Sequence, residues 1–261
     1  VTKTKPGFGG RLAPQVFLLG LLLAASPGRA SRVVSLNLCT DELLVLLAPD
    51  SVAALSPLAR DPSLSVVASQ AVSLPWVRPD AEAVLSLHPD LVLAGEYGAQ
   101  AVLAALRGRG LRVVQLREAA DFAGVAAQVT QLAAVLGVPA KGASLIATMK
   151  ARLAVVPRHH GETAILWQAR GFSAGQGSFG DAVLRQAGLG DAGTGGQIGV
   201  EALVAHPPAL LVTEAAPAFP SMATAMLAHP ALAGIRRLTI DPALLACPGP
   251  WSAEAVVALA G

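Results

Sequence analysis

From residue 32 onward the apolar positions of the chain change period again and again. Short aliphatic and β-branched runs, "RVVSLN" (32–37), "DLVLAG" (90–95) and "LRVVQL" (111–116), have the length and composition of buried strands. Between them, "TDELLVLLA", "EAVLSLH" and "AQAVLAALRGRG" place apolar residues at helical spacing. Thr40 and Asp41 are expected to cap the first of these helices with a side-chain oxygen, and Pro89 to stop the second. Strands alternating with helices predict a parallel sheet.

Between residues 121 and 156 strand character disappears, and "DFAGVAAQVTQLAAVLGVPAKGASLIATMKARLAVV" keeps Ala, Leu and Val at helical spacing. Pro139 and Gly142 are the residues expected to kink or divide it. Some thirty helical residues would span roughly 45 Å at 1.5 Å each, enough to cross a domain junction. The strand and helix pattern then restarts, with "TAILWQA" (163–169) as a strand and "GDAVLRQAG" as a helix. "EAVLSLHPDLVLAG" (82–95) recurs 119 residues later as "EALVAHPPALLVTE" (201–214), with Pro89 and Pro208 both at the eighth place.

The resulting fold class is α/β: two parallel-sheet lobes, 31–119 and 158–261, joined by a long helical connector over 120–157, with a ligand cleft between the lobes. In open parallel sheets ligands sit beyond the carboxyl ends of the strands. The expected lining is therefore the loops "NLCTD", "GEYG", "ARGFSAGQGSFG" and "EAAPAF". The glycine-rich turn "GQGSFG" lacks the Gly-x-Ser-x-Gly spacing of a nucleophile elbow. It reads as a turn opening a helix, with backbone N–H groups available to an anionic ligand group.

Composition adds a compartment. The first thirty residues carry Lys3, Lys5 and Arg11, then an apolar stretch over 16–25, then "SPGRA", the layout of an export signal over 1–30. An apolar run of about ten residues is too short to cross a bilayer. Cutting after Ala30 removes Lys3, Lys5, Arg11 and Arg29 and no acid, which takes 19 basic against 17 acidic residues to 15 against 17. The mature chain is then nearly neutral, without the basic stripe of a nucleic-acid binder. At 53% hydrophobic and 14% charged it is rich enough in apolar residues to build a sizeable core.

Only ten aromatic residues are present. Trp76, Tyr97, Phe172, Phe219 and Trp251 fall in or beside predicted loops and are the candidates for ligand contact, while Phe122 and Trp167 read as core. Arg170, just past a strand, is the arginine best placed to meet an anionic group; Arg60 and Arg78 read as solvated. None of His88, His159, His160, His206 and His229 falls on a predicted cleft loop, so no metal-ion site is expected. Cys39 and Cys247 are a disulfide across the cleft, two separate buried thiols or, as the least favoured reading, a thiolate pair facing a metal chelate.

The phrase "RPDAEAVLSLHPDLVLAG" in the first half and "GQGSFGDAVLRQAGLGDAG" in the second resemble the periplasmic substrate-binding proteins of ABC importers for cobalamin and iron–siderophore complexes. The resemblance runs from about Arg32 to Ala260. It implies a periplasmic monomer that does no covalent chemistry, needs no cofactor of its own, takes a metal chelate as ligand, and meets the membrane only through an ABC importer permease. It places Glu82 and Glu201 as the two carboxylates, one per lobe, that dock into arginine pockets of that permease. Cobalamin-binding members carry an aromatic just ahead of the docking glutamate, where Trp76 stands, whereas haem-binding members tend to carry a tyrosine there. Cobalamin is therefore expected slightly ahead of a ferric siderophore, with haem as the alternative through Tyr97. A secreted α/β enzyme and a ligand sensor are the competing classes.

Overall fold

The computed structural model describes residues 1–3, 32–156, 161–215 and 225–261. Nearly all of the expected export signal, together with His159, His160 and Phe219, lies outside them. Two four-stranded parallel sheets organise the chain. The first contains β1 (Val33–Ser35), β2 (Val52–Ala54), β3 (Leu91–Gly95) and β4 (Val113–Leu116), in the order β2-β1-β3-β4. The second contains β5 (Thr163–Trp167), β6 (Gly190–Asp191), β7 (Leu210–Glu214) and β8 (Arg237–Ile240), in the order β6-β5-β7-β8. The two lobes thus repeat one topology, as the duplicated sequence unit implies.

Alternation along the strands divides the apolar side chains between two faces. Val33, Leu91 and Leu93 of the first sheet and Ala164, Leu166, Leu210 and Val212 of the second join one continuous central core. Val34, Val92 and Ala94 face a second cluster, and Ile165, Trp167 and Leu211 a third. The outer clusters are private to a lobe, whereas the central one is shared by both.

The helices that complete the central core are α1 (Leu38–Leu47), α5 (Phe122–Val135), α6 (Pro139–Ala154), α7 (Phe179–Gln186) and the last helix, α10 (Ala253–Ala260). The remaining helices are α2 (Ala68–Ala71), α3 (Ala81–Ser86), α4 (Gln100–Gly108), α8 (Val200–Ala205) and α9 (Ala243–Ala246). Among the described residues no helix is long and apolar enough to cross a membrane.

The connector is two helices packed on one another, divided immediately before Pro139 as expected. Gly137 adopts φ 70°, and Val138 N donates to Ala133 O at 2.8 Å while Gly137 N donates to Ala134 O at 3.1 Å. This left-handed C-terminal stop is followed by Pro139 at the first position of α6. Gly142 does not divide the connector. It lies inside α6, where an added Cβ would stand 2.5 Å from Ala133 Cβ, so its lack of a side chain lets α5 and α6 touch.

Helix α1 begins earlier than the expected cap. Asn37 is the N-cap, its Oδ1 accepting from Cys39 N (3.1 Å) and Thr40 N (3.4 Å). Thr40 Oγ1 instead donates to Asn37 O at 2.9 Å, and Asp41 is fully buried.

Candidate functional site

The carboxyl ends of β1, β3 and β4 open onto a cavity of about 210 Å³, walled by Asn37, Cys39, Thr40, Tyr97, Arg117 and Glu118 and closed on the far side by Ala246 and Pro248. Facing it, a cavity of about 290 Å³ lies against the loop after β5 and the start of α7, with Gln168, Ser173, Ser178 and Phe179 on its wall. Glu118 and Pro248 border both spaces, so together they form one cleft between the lobes. A third space of about 420 Å³ continues outward from Tyr97 and Arg117 past Gln100 and Gln115.

Tyr97 is the only tyrosine in the chain and is 73% exposed in the loop after β3. Arg117 holds the corresponding place after β4. Its side chain is 90% exposed, with the Glu96 carboxylate 3.8 Å from Nε, and its backbone carbonyl accepts from Gln128 Nε2. Among the described lining residues of the two inner cavities, Glu96 and Glu118 are the acids and Arg117 is the only cationic side chain.

The disulfide between Cys39 and Cys247 forms the floor of the cleft, with Cα atoms 5.3 Å apart and 208 residues between them in sequence. It ties the start of α1 to the turn before α10. Two buried carboxyls lie behind that floor. Burial pushes Asp41 up to about 7, against the opposing effect of hydrogen bonds from Ser35 and Ser56. Burial also pushes Glu42 up to about 8, opposed by the hydrogen bond from Val66 N and reinforced by neighbouring Asp41. Glu42 Oε1 accepts from Val66 N at 2.9 Å, while its Oε2 is buried with no hydrogen-bond partner.

The other expected contact residues are placed differently. Trp76 is 47% exposed in the segment bridged to Leu55, just past β2, with the Arg78 guanidinium 5.9 Å from its ring centroid. Arg170 and Phe172 are exposed after β5, outside the walls of the described cavities, and Arg170 has φ 61°. Trp251 stands apart from the cleft, its ring packed on the central core. Arg60 donates from Nη2 to Val72 O at 2.5 Å. Trp167 is fully buried and donates from Nε1 to Ile198 O at 2.9 Å, and Phe122 packs against Phe179 with ring centroids 5.3 Å apart.

In the turn before α7, two N–H groups are bonded to side chains of the chain itself. Ser178 Oγ accepts from Asp181 N at 3.2 Å, and Asp181 Oδ2 accepts from Gly177 N at 2.7 Å while lying 3.1 Å from Arg185 Nη2. A carboxylate of the chain itself thus holds the Gly177 N–H, one of those expected to meet an anionic ligand group.

Glu82 and Glu201 are exposed in the first turns of α3 and α8. Each of these helices leads directly into the matching strand of its lobe, β3 or β7, and a crossover helix runs antiparallel to the strands it joins. Both glutamates therefore stand toward the carboxyl ends of the strands, the side on which the cleft opens.

Residues 33–236 match the family model described as periplasmic binding protein. The chain belongs to the periplasmic binding protein family. That family consists of transport binding proteins and implies a periplasmic location. A periplasmic haem-binding protein from Pseudomonas aeruginosa is similar at 28% identity and TM-score 0.69, covering 88% of this chain and 91% of that one. The periplasmic haem-binding protein BhuT, in complex with two haems, is similar at 26% identity and TM-score 0.66, covering 87% and 96%. The periplasmic vitamin B12-binding protein BtuF of Vibrio cholerae shares the fold at 18% identity and TM-score 0.66, covering 89% and 96%. No curated protein matches the chain.

Sequence reasoning reached the loops "NLCTD", "GEYG" and "ARGFSAGQGSFG" and missed Arg117, Glu118 and Gln128. The signal was available for the first two, because they follow β4 as Tyr97 follows β3. Gln128 lies within α5, and only the packing of α5 beside the cleft brings it there.

Proposed function

We propose that this binding protein captures a metal chelate in the cleft between its lobes and delivers it to an ABC importer permease, with haem as its cargo. The observation that carries the choice of haem is Tyr97, whose phenol stands on the cavity wall at the carboxyl end of β3. A phenolate oxygen is a chemically suitable axial ligand for ferric haem iron. Arg117, beside it, is free enough of its 3.8 Å contact with Glu96 to meet a carboxylate of the porphyrin rim. The acidic balance of the wall disfavours a polyanionic tris-catecholate siderophore. The haem-binding proteins at 28% and 26% identity support the same choice.

Cobalamin is the second reading. It is favoured by exposed Trp76, which occupies the place where a tyrosine would otherwise be expected.

The test is a spectroscopic titration of the mature chain with haem, cobalamin and a ferric hydroxamate in parallel, confirmed by calorimetry. Haem should bind saturably, and Tyr97→Phe should weaken it about tenfold or more while abolishing the ligand-to-metal charge-transfer band. Saturable cobalamin binding that is unaffected by Tyr97→Phe would replace haem by the second reading.

A further inference from the structure

The two sulfurs of the floor disulfide are not equally accessible. Cys39 is half-buried and lines the 210 Å³ cavity, whereas Cys247 is 1% exposed and reaches that cavity only through its neighbours Ala246 and Pro248. An attacking thiolate must reach a sulfur along the S–S axis, so access selects which one is struck. Here the approach to Cys39 leads through the space assigned above to cargo.

We propose that the cleft is also a site of thiol–disulfide exchange, entered by a small dithiol through the cargo cavity and blocked when cargo is bound. One thiolate of the dithiol bonds to Cys39 Sγ. The Cys39–Cys247 bond breaks with its electron pair on Cys247 Sγ, which takes a proton from water. The second thiol of the dithiol then displaces Cys39, leaving two protein thiols and one oxidised dithiol. Cys39 is the second residue of ten-residue α1, and the dipole at that helix N-terminus favours its departure as a thiolate. Reduction removes the covalent tie between α1 and the turn before α10, so the exchange acts on the cleft's geometry as well as on its chemistry.

Labelling each thiol by itself tests the entry route. In the folded full chain, the Cys39 thiol of Cys247→Ser should react with N-ethylmaleimide at least about tenfold faster than the Cys247 thiol of Cys39→Ser, and the two should react alike in urea. In the wild-type chain, limited exchange with glutathione should leave the mixed disulfide on Cys39 when mapped by mass spectrometry. Equal native rates, or glutathione on Cys247, would overturn the proposal. The blocking half rests on the cargo reading: saturating haem should slow labelling of Cys39, and bound haem that leaves the rate unchanged overturns shared entry. Failure of haem to bind at all would instead count against the cargo assignment, with the labelling ratio still deciding the exchange site.

Discussion

Asp41 and Glu42 stand side by side on α1, both without solvent exposure. With folded values near 7 and 8 against ordinary values of 3.8 and 4.5, the folded chain retains protons that the unfolded chain releases between about pH 4 and 8. A raised carboxyl makes the folded state the greater proton binder in that window, so stability falls as pH rises through it and levels off above the folded values. Thermal unfolding should therefore show Tm dropping by roughly 5 °C or more between pH 5 and pH 8. Glu42→Gln, which removes one of the two raised carboxyls, should flatten the curve and raise Tm at pH 8; a Tm that climbs with pH would refute this account. The sequence misled here for a physical reason. "TDELL" carries two acids at a helix start, the usual mark of an exposed first turn, but in this helix every residue except Cys39 and Leu46 is buried.

The hairpin of α5 and α6 depends on the close approach at Gly142. Gly142→Val should force the helices apart and destabilise the chain by about 1–3 kcal/mol in urea unfolding. Gly142→Ala adds only the obstructing Cβ, and pairing it with Ala133→Gly should recover most of what Gly142→Ala loses, because that Cβ is then moved from one helix to the other. If the pair loses as much as the two single changes together, the contact is not the cause. At this scale the longer elements were legible: β3, β5 and β7 and the helices around them follow from apolar periodicity. The edge strands β2, β6 and β8 were not, since β2 and β6 have three and two residues and β8 opens with Arg237 on an exposed position. Short edges give little pattern to read, and they also discourage pairing with other chains.

At the scale of the molecule, the shared central core and the disulfide join two lobes that would otherwise be separate units. Closing a loop of 208 residues restricts the unfolded chain by about 5 kcal/mol in the chain-entropy model. The double variant Cys39→Ser/Cys247→Ser should lose about 2–5 kcal/mol of stability in denaturant unfolding. It should still unfold in one transition, because the central core remains continuous; two resolved transitions would show that the disulfide alone couples the lobes. Docking belongs to this scale as well. If Glu82 and Glu201 are the handles on the permease, Glu82→Arg with Glu201→Arg should abolish uptake of cargo in cells while leaving its affinity in solution unchanged. Normal uptake by the double variant would remove the docking assignment.

The amino-acid sequence by itself determined the class of fold, the duplication and several of the loops that border the cleft. These depend on local periodicity and on the rule that parallel strands present their carboxyl ends to a ligand. Tertiary structure alone decided the pairing of Cys39 with Cys247, the burial of Asp41 and Glu42, and the choice among exposed aromatics that leaves Tyr97 on the cavity wall. Each of those depends on contacts between residues far apart in the chain. Apolar spacing shows that a side chain has a buried face, but it does not show which distant segment covers that face.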